Sequence, residues 1–178
     1  MLYRHSRGIV EFLNKFCSIP LGRKTEKVKI PPFILTADSN IKCAFIRGLA
    51  DTDFYLAFKK NSVGKYAYPA IRGSFRSKAL IKDLEQLFLD LGFRYTCCYD
   101  LNCYDPRWGS YQMNAIYLNG EKNLRLWFDL IGFSNSKNIS RFEEWKFKGE
   151  CKPMLKRAPG VKSSKAEQVQ LTFEHATS

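Results

Sequence analysis

Along the chain, apolar residues recur at helical spacing in some stretches and alternate with polar ones in others. Ile9, Phe12, Leu13 and Phe16 share one helical face, which predicts a helix over 6–17. Residues 18–32 hold Pro20, Gly22 and the pair Pro31–Pro32 among lysines and arginines, and read as a basic hairpin or loop. A second helix is expected from about 40 to 53, capped by Asp38 or Ser39. Alternation follows at once: Phe54, Leu56 and Phe58 in one phase, Tyr55, Ala57 and Lys59 in the other. A turn over 61–65 leads to a returning strand over 66–75, with Ile71 and Phe75 inward and Arg72, Ser74 and Arg76 outward. Pro69 in that strand marks a bulge or a position without a ladder donor.

The clearest helix is 78–91, where Leu80, Ile81, Leu84, Leu87, Phe88 and Leu91 make one stripe between a Ser77 cap and Gly92. A third strand is expected over 93–99 and a fourth over 111–118, with a polar turn at 105–109. Helices over 121–131 and from 135 to about 146 complete the pattern. Two hairpins with helices between and after them imply an α+β domain, an antiparallel sheet with helices on one face. The other face is left open, and the outward phase gathers Tyr55, Lys59, Arg72, Ser74, Arg76, Arg94 and Tyr111 there. One domain over 1–148 is expected, followed by a basic, mobile tail over 149–178 in which the periodicity dissolves.

Charge gives that open face a meaning. Lys and Arg number 29 against 17 Asp and Glu, a net charge of +12, and such an excess points to a polyanion. A two-stranded ribbon fits the DNA major groove, where outward arginines pair with guanine. No run of ~18 apolar residues suggests a membrane span, and 8–17 is broken by Glu11 and Lys15, unlike a secretory leader. An intracellular location, cytoplasmic or nucleoid, is therefore expected. The six cysteines contain no CxxC, and adjacent Cys97 and Cys98 point to opposite faces of a strand. That spacing argues against zinc and, in a reducing compartment, against disulfides. His5 and His175 are the only histidines, which argues against chemistry led by a histidine base.

The strongest chemical signal is at the end of the second helix. Gly48 inside that helix costs about 1 kcal/mol relative to alanine. With Ala44 and Ala50 it offers a small-residue surface for a close helix pair. Asp51 and Asp53 lie at the helix C-terminus, where carboxylates oppose the dipole and gain no stability. Hard oxygen ligands of this kind suit Mg²⁺.

The segment Phe45-Ile46-Arg47-Gly48-Leu49-Ala50-Asp51-Thr52-Asp53-Phe54 resembles the motif of the LAGLIDADG homing endonucleases, with Gly48, Leu49, Asp51 and Asp53 on matching positions. Phe54 stands where that family usually has glycine. The likeness extends over roughly 8–147, through the element order, the Ser77-led helix and the segment 131–137. The resemblance implies a saddle-like antiparallel sheet and a metal-dependent DNA endonuclease (a hydrolase of phosphodiesters, often intron-borne) acting on double-stranded DNA. It implies Mg²⁺ or Mn²⁺ held by Asp53 with the Thr52 carbonyl, and Lys137 or Arg76 as the cation at the reacting phosphate. One motif implies a homodimer on a near-palindromic site, pairing through Ala44, Gly48, Leu49 and Ala50. Phe54 opens the alternatives: it either crowds the metal, leaving a non-cutting DNA- or RNA-binding relative of maturase-like or regulatory role, or packs inward with Leu56 and Phe58.

Overall fold

The computed structural model describes residues 6–17, 26–107 and 109–153. The elements run α1 (Arg7–Lys15), α2 (Pro32–Leu35), α3 (Ser39–Asp53), β1 (Phe54–Lys60), β2 (Tyr66–Phe75), α4 (Lys78–Asp90), β3 (Thr96–Asp105), β4 (Gly109–Asn119), α5 (Glu121–Leu130) and α6 (Ser136–Lys148). The architecture is α+β, with one antiparallel sheet in the order β1-β2-β4-β3. Expected residues within 18–25, and the tail residues from 154 onward, lie outside the described residues.

Local chemistry explains where the elements start. Asp38 accepts from the Ile41 N–H, Ser77 from Leu80 and Asn135 from Asn138, each satisfying a first-turn donor of α3, α4 or α6. Gly149 closes α6 in the left-handed conformation at φ 70°. Phe54, Leu56, Ile71, Ile116 and Leu118 share one sheet face and join Ile46, Ala50, Ile81, Leu84, Leu87, Phe88, Leu124 and Trp127 from the helices in a single core.

The inward Phe54 has a specific partner. It pairs across the strands with Gly73, and its ring also meets Phe75, Phe88 and Trp127 at centroid distances of 5.7, 6.2 and 5.8 Å. A Cβ at Gly73 would stand 2.6 Å from Phe54 Cζ, so glycine is the residue that fits beneath the ring. Of the two alternatives opened by Phe54, packing inward is the one observed.

α3 and α4 are tied by an ion pair, Lys42 Nζ to Asp90 Oδ2 at 2.6 Å. The Lys42 hydrogen bond, helped by Gln86, holds the Asp90 carboxyl below the usual aspartate range. A depressed folded-state value contributes stability that is present above the unfolded value of about 3.9 and is lost as pH falls through the folded one. Asp90→Asn is therefore expected to flatten the acid limb of the melting-midpoint curve below about pH 4. An acid limb identical to the parent's would remove this pair from the acid response.

The third strand differs from its expected place at 93–99. Phe93 is buried, and the Asn123 side chain captures the Arg94 backbone, accepting from its N–H at 3.1 Å and donating to its carbonyl at 2.6 Å. With those groups engaged, pairing begins at Thr96. It continues past an irregularity between Cys98 and Leu101, where Asp100 adopts φ 55° and its N–H is accepted by Asn114 Oδ1. The fourth strand is a little longer than expected, and α6 starts one residue later, with Asn135 as cap. Packing continues beyond 148: Cys151 is buried and its N–H donates to the Tyr66 carbonyl, so a tail cannot begin at 149. α1 forms, capped by Ser6, but none of its residues is buried, and Ile9, Phe12 and Phe16 are exposed.

Candidate functional site

β1 is an edge strand, and α6 closes that edge with side chains rather than with another strand. Asn138 Oδ1 accepts the Leu56 N–H at 3.1 Å and its Nδ2 donates to the Phe54 carbonyl at 3.5 Å. Arg141 Nε donates to the Leu56 carbonyl at 2.9 Å, and Trp145 Nε1 to the Ala67 carbonyl at 3.0 Å. Exposed edges invite pairing with other chains. Here the outward backbone groups of Phe54 and Leu56 are spent inside the molecule, and the start of α6 is fixed beside the α3–β1 junction.

At that junction the two aspartates part company. Asp51 Oδ1 accepts from the Ser134 and Asn135 N–H groups at 2.7 and 3.2 Å, so Asp51 is committed to the α5–α6 turn. Asp53 is exposed, with Thr52 Oγ1 2.8 Å from its Oδ2. That hydroxyl is also 3.0 Å from the Leu49 carbonyl. Among the described residues no cluster of three or more His, Cys, Asp or Glu side chains is placed to hold a metal. One exposed carboxylate with neighbouring carbonyls is a hard, incomplete donor set. It fits Mg²⁺ or Mn²⁺, which keep waters and take substrate phosphates as ligands, better than it fits zinc.

The sheet face away from the helices lies next to Asp53 through the strand register. Tyr55 pairs with Arg72, Arg72 with Tyr117, and Tyr117 with Thr96, one row across all the strands. Arg72 is 8% exposed; its guanidinium lies 5.5 Å from the Tyr117 ring centroid, and its Nε has no hydrogen-bond partner among the described residues. Arg76 stacks on Tyr111 at 4.6 Å. Burial pushes the Tyr117 phenol up to about 12 and, with the Arg72 charge, holds the Lys59 ammonium below the usual lysine range. Ala57, Ala70, Met113, Ala115 and Cys103 are buried yet stand outside the helix-covered core. They form a floor of small and apolar side chains beneath the cations and phenols.

The expected site residues are thus only partly assembled. Tyr55, Lys59, Arg72, Ser74 and Tyr111 fall in the outward phase as expected, but Arg72 is buried among its neighbours rather than reaching outward. Arg94 is exposed but precedes β3, for the reason given by Asn123, and so is not a strand residue. Arg76 and Lys137 are not gathered into one pocket. Arg76 lines a cleft of about 570 Å³ with Lys78, Asp100 and Tyr111, whereas Lys137 lines another of about 690 Å³ with Ser140, Arg141 and Lys152. Ala44 and Gly48 are exposed on α3 and Leu49 is half-buried. Ala50 is fully buried, because two residues turn a helix by about 200° and carry it from the Gly48 side into the core. It cannot belong to a surface stripe.

Sequence reading missed Tyr117, Asn138 and Arg141. Tyr117 was legible, since it keeps the phase of Tyr111 along β4. Asn138 and Arg141 left no local signal, because their partners are more than 80 positions away.

Comparison of the sequence with models of protein families and with curated proteins found no match. No helix among the described residues is long and apolar enough to cross a membrane.

Proposed function

We propose that this protein is a site-specific double-strand DNA endonuclease of the LAGLIDADG kind, with the saddle-like sheet of that family, acting as a homodimer. The observation that carries the reading is the exposed Asp53 carboxylate at the head of β1, beside a sheet face whose first row holds Tyr55, Arg72 and Tyr117. The net charge of +12 suits a polyphosphate partner. Ala44 and Gly48 on α3 support pairing between two copies, since a Cβ at Gly48 meets nothing within 4 Å and the face is open to a close neighbour.

Hydrolysis of a phosphodiester places a water oxygen on phosphorus and expels the 3′ oxygen, so negative charge must be stabilised at the reacting phosphate. A bound Mg²⁺ or Mn²⁺ supplies Lewis acidity there and lowers the pKa of water. Asp53 and the Thr52 carbonyl would hold it. Lys137, on the first turn of α6, is tied to the α3–β1 junction through the Asp51 bonds to the Ser134 and Asn135 N–H groups; Arg76 is held on Tyr111 just beyond β2. Ser74, Lys59 and the tyrosines serve as the nucleic-acid contact surface, and Arg72, buried on the Tyr117 ring, adds positive charge beneath it.

The test is cleavage of a randomised duplex library with Mg²⁺. Discrete, near-palindromic cut sites are the expected result. Selective binding without cutting, or tighter binding of RNA than of duplex DNA at matched salt, would overturn it in favour of a non-cutting binder.

A further inference from the structure

The Asp51 carboxylate joins two segments that sequence separates widely, since Asp51 and Asn135 are 84 residues apart. It accepts from two consecutive backbone N–H groups, those of Ser134 and Asn135. Asn135 Nδ2 returns a bond to the Asp51 carbonyl at 3.4 Å, while Asn135 Oδ1 caps α6 by accepting from Asn138. Asn138 then grips Phe54 and Leu56, immediately beyond Asp53. The bonds therefore enclose Asp53 on both sides. Asp53 and Lys137 each follow a clamped residue, Asp51 and Asn135 respectively, at the same short spacing.

A surface aspartate at a helix C-terminus gains nothing from the dipole. Accepting two backbone N–H groups gives this one a definite task. Neither Asp53 nor Lys137 is buried, so packing alone does not fix their separation. We propose that Asp51 is a positioning residue, setting the placement of Lys137 relative to Asp53 through the Asp51–Asn135–Asn138 frame. The inference rests on the reading that Asp53 and Lys137 act on one phosphodiester. Misplacing a reacting group by about 1 Å costs on the order of 10²-fold in rate, and that is the effect expected.

The experiment uses the full chain and the duplex selected from the library. Single-turnover cleavage is measured at saturating protein with Mg²⁺, the duplex Kd with Ca²⁺ in its place, and the melting midpoint for each variant. Asp51→Asn is expected to cut about 10²-fold more slowly, with the Kd within about threefold of the parent and the protein folded at the assay temperature. Because Asp51 acts through Lys137, Asp51→Asn/Lys137→Ala is expected to be no slower than Lys137→Ala alone. If Asp51→Asn does not fold, Asn135→Asp serves instead, since it keeps a capping oxygen for α6 while removing the side-chain donor to the Asp51 carbonyl and adding a like charge beside the Asp51 carboxylate. A parental rate in the folded variant, or losses that simply multiply with Lys137→Ala, overturns the positioning role alone. A parent that cuts no duplex overturns the endonuclease reading and this inference together.

Discussion

Asp53→Asn is expected to lose cleavage while keeping fold and DNA affinity. The substitution preserves shape, and an amide oxygen can still take the Thr52 hydroxyl that now lies 2.8 Å from Asp53 Oδ2. It removes the charge that makes this oxygen a ligand for a hard divalent ion. Metal-assisted charge stabilisation is worth several kcal/mol, and at ~1.36 kcal/mol per decade the loss should be about 10³-fold or more. Stability should move the other way, if at all, because a negative charge leaves the C-terminal end of α3. A fall in activity without a fall in melting midpoint is hard to produce by general damage. The measurement is single-turnover cleavage beside thermal melting. An Asp53→Asn protein that cuts at the parental rate would remove Asp53 from the reaction.

The second large effect is on the core beneath the same junction. Phe54→Ala is expected to destabilise by about 3–5 kcal/mol, the usual range for deleting a buried phenylalanine, because the ring is 4% exposed and lies among Phe75, Phe88 and Trp127. Gly73→Ala should cost about 1–3 kcal/mol by overpacking, since its Cβ would meet Phe54 Cζ at 2.6 Å. The two losses should not add. With the ring removed, alanine at 73 fills part of the space that was crowded before, so the double variant should be more stable than the sum predicts. Denaturant titration of the four proteins measures this directly; strict additivity would show that the ring and Gly73 are not coupled. The bulk at 54 thus has a structural reason. Strand alternation sends Phe54 into the core and Tyr55 to the open face, so the residue that departs from the motif this segment resembles does not crowd the Asp53 carboxylate.

Much of this molecule was legible because periodicity reports which side of an element faces water. Helices α3 and α4 carry their caps, Asp38 and Ser77, within one turn of their apolar stripes, and the β1–β2 turn sits between two alternating runs. The α+β class and the outward phase of Tyr55, Arg72, Ser74 and Tyr111 followed from those local patterns. Periodicity does not report what lies opposite a side chain. Arg72 reads as outward and is outward in phase, yet its neighbours in space, Tyr55 and Tyr117, cover it. Arg94 keeps the strand phase, but Asn123 on α5 takes its backbone and the strand starts later. Ile9, Phe12 and Phe16 make a helix without making a core, because amphipathicity demands a partner and does not supply one.

The sequence by itself determined the element order, the faces of the sheet, the basic character of the chain and the acidic end of α3. Only the tertiary structure decided which backbone groups hold Asp51, what closes the edge of β1 and why glycine stands at 73. Each of these depends on atoms from separate parts of the chain meeting at hydrogen-bond or van der Waals distance, and no short-range pattern of apolar and polar residues encodes such a meeting.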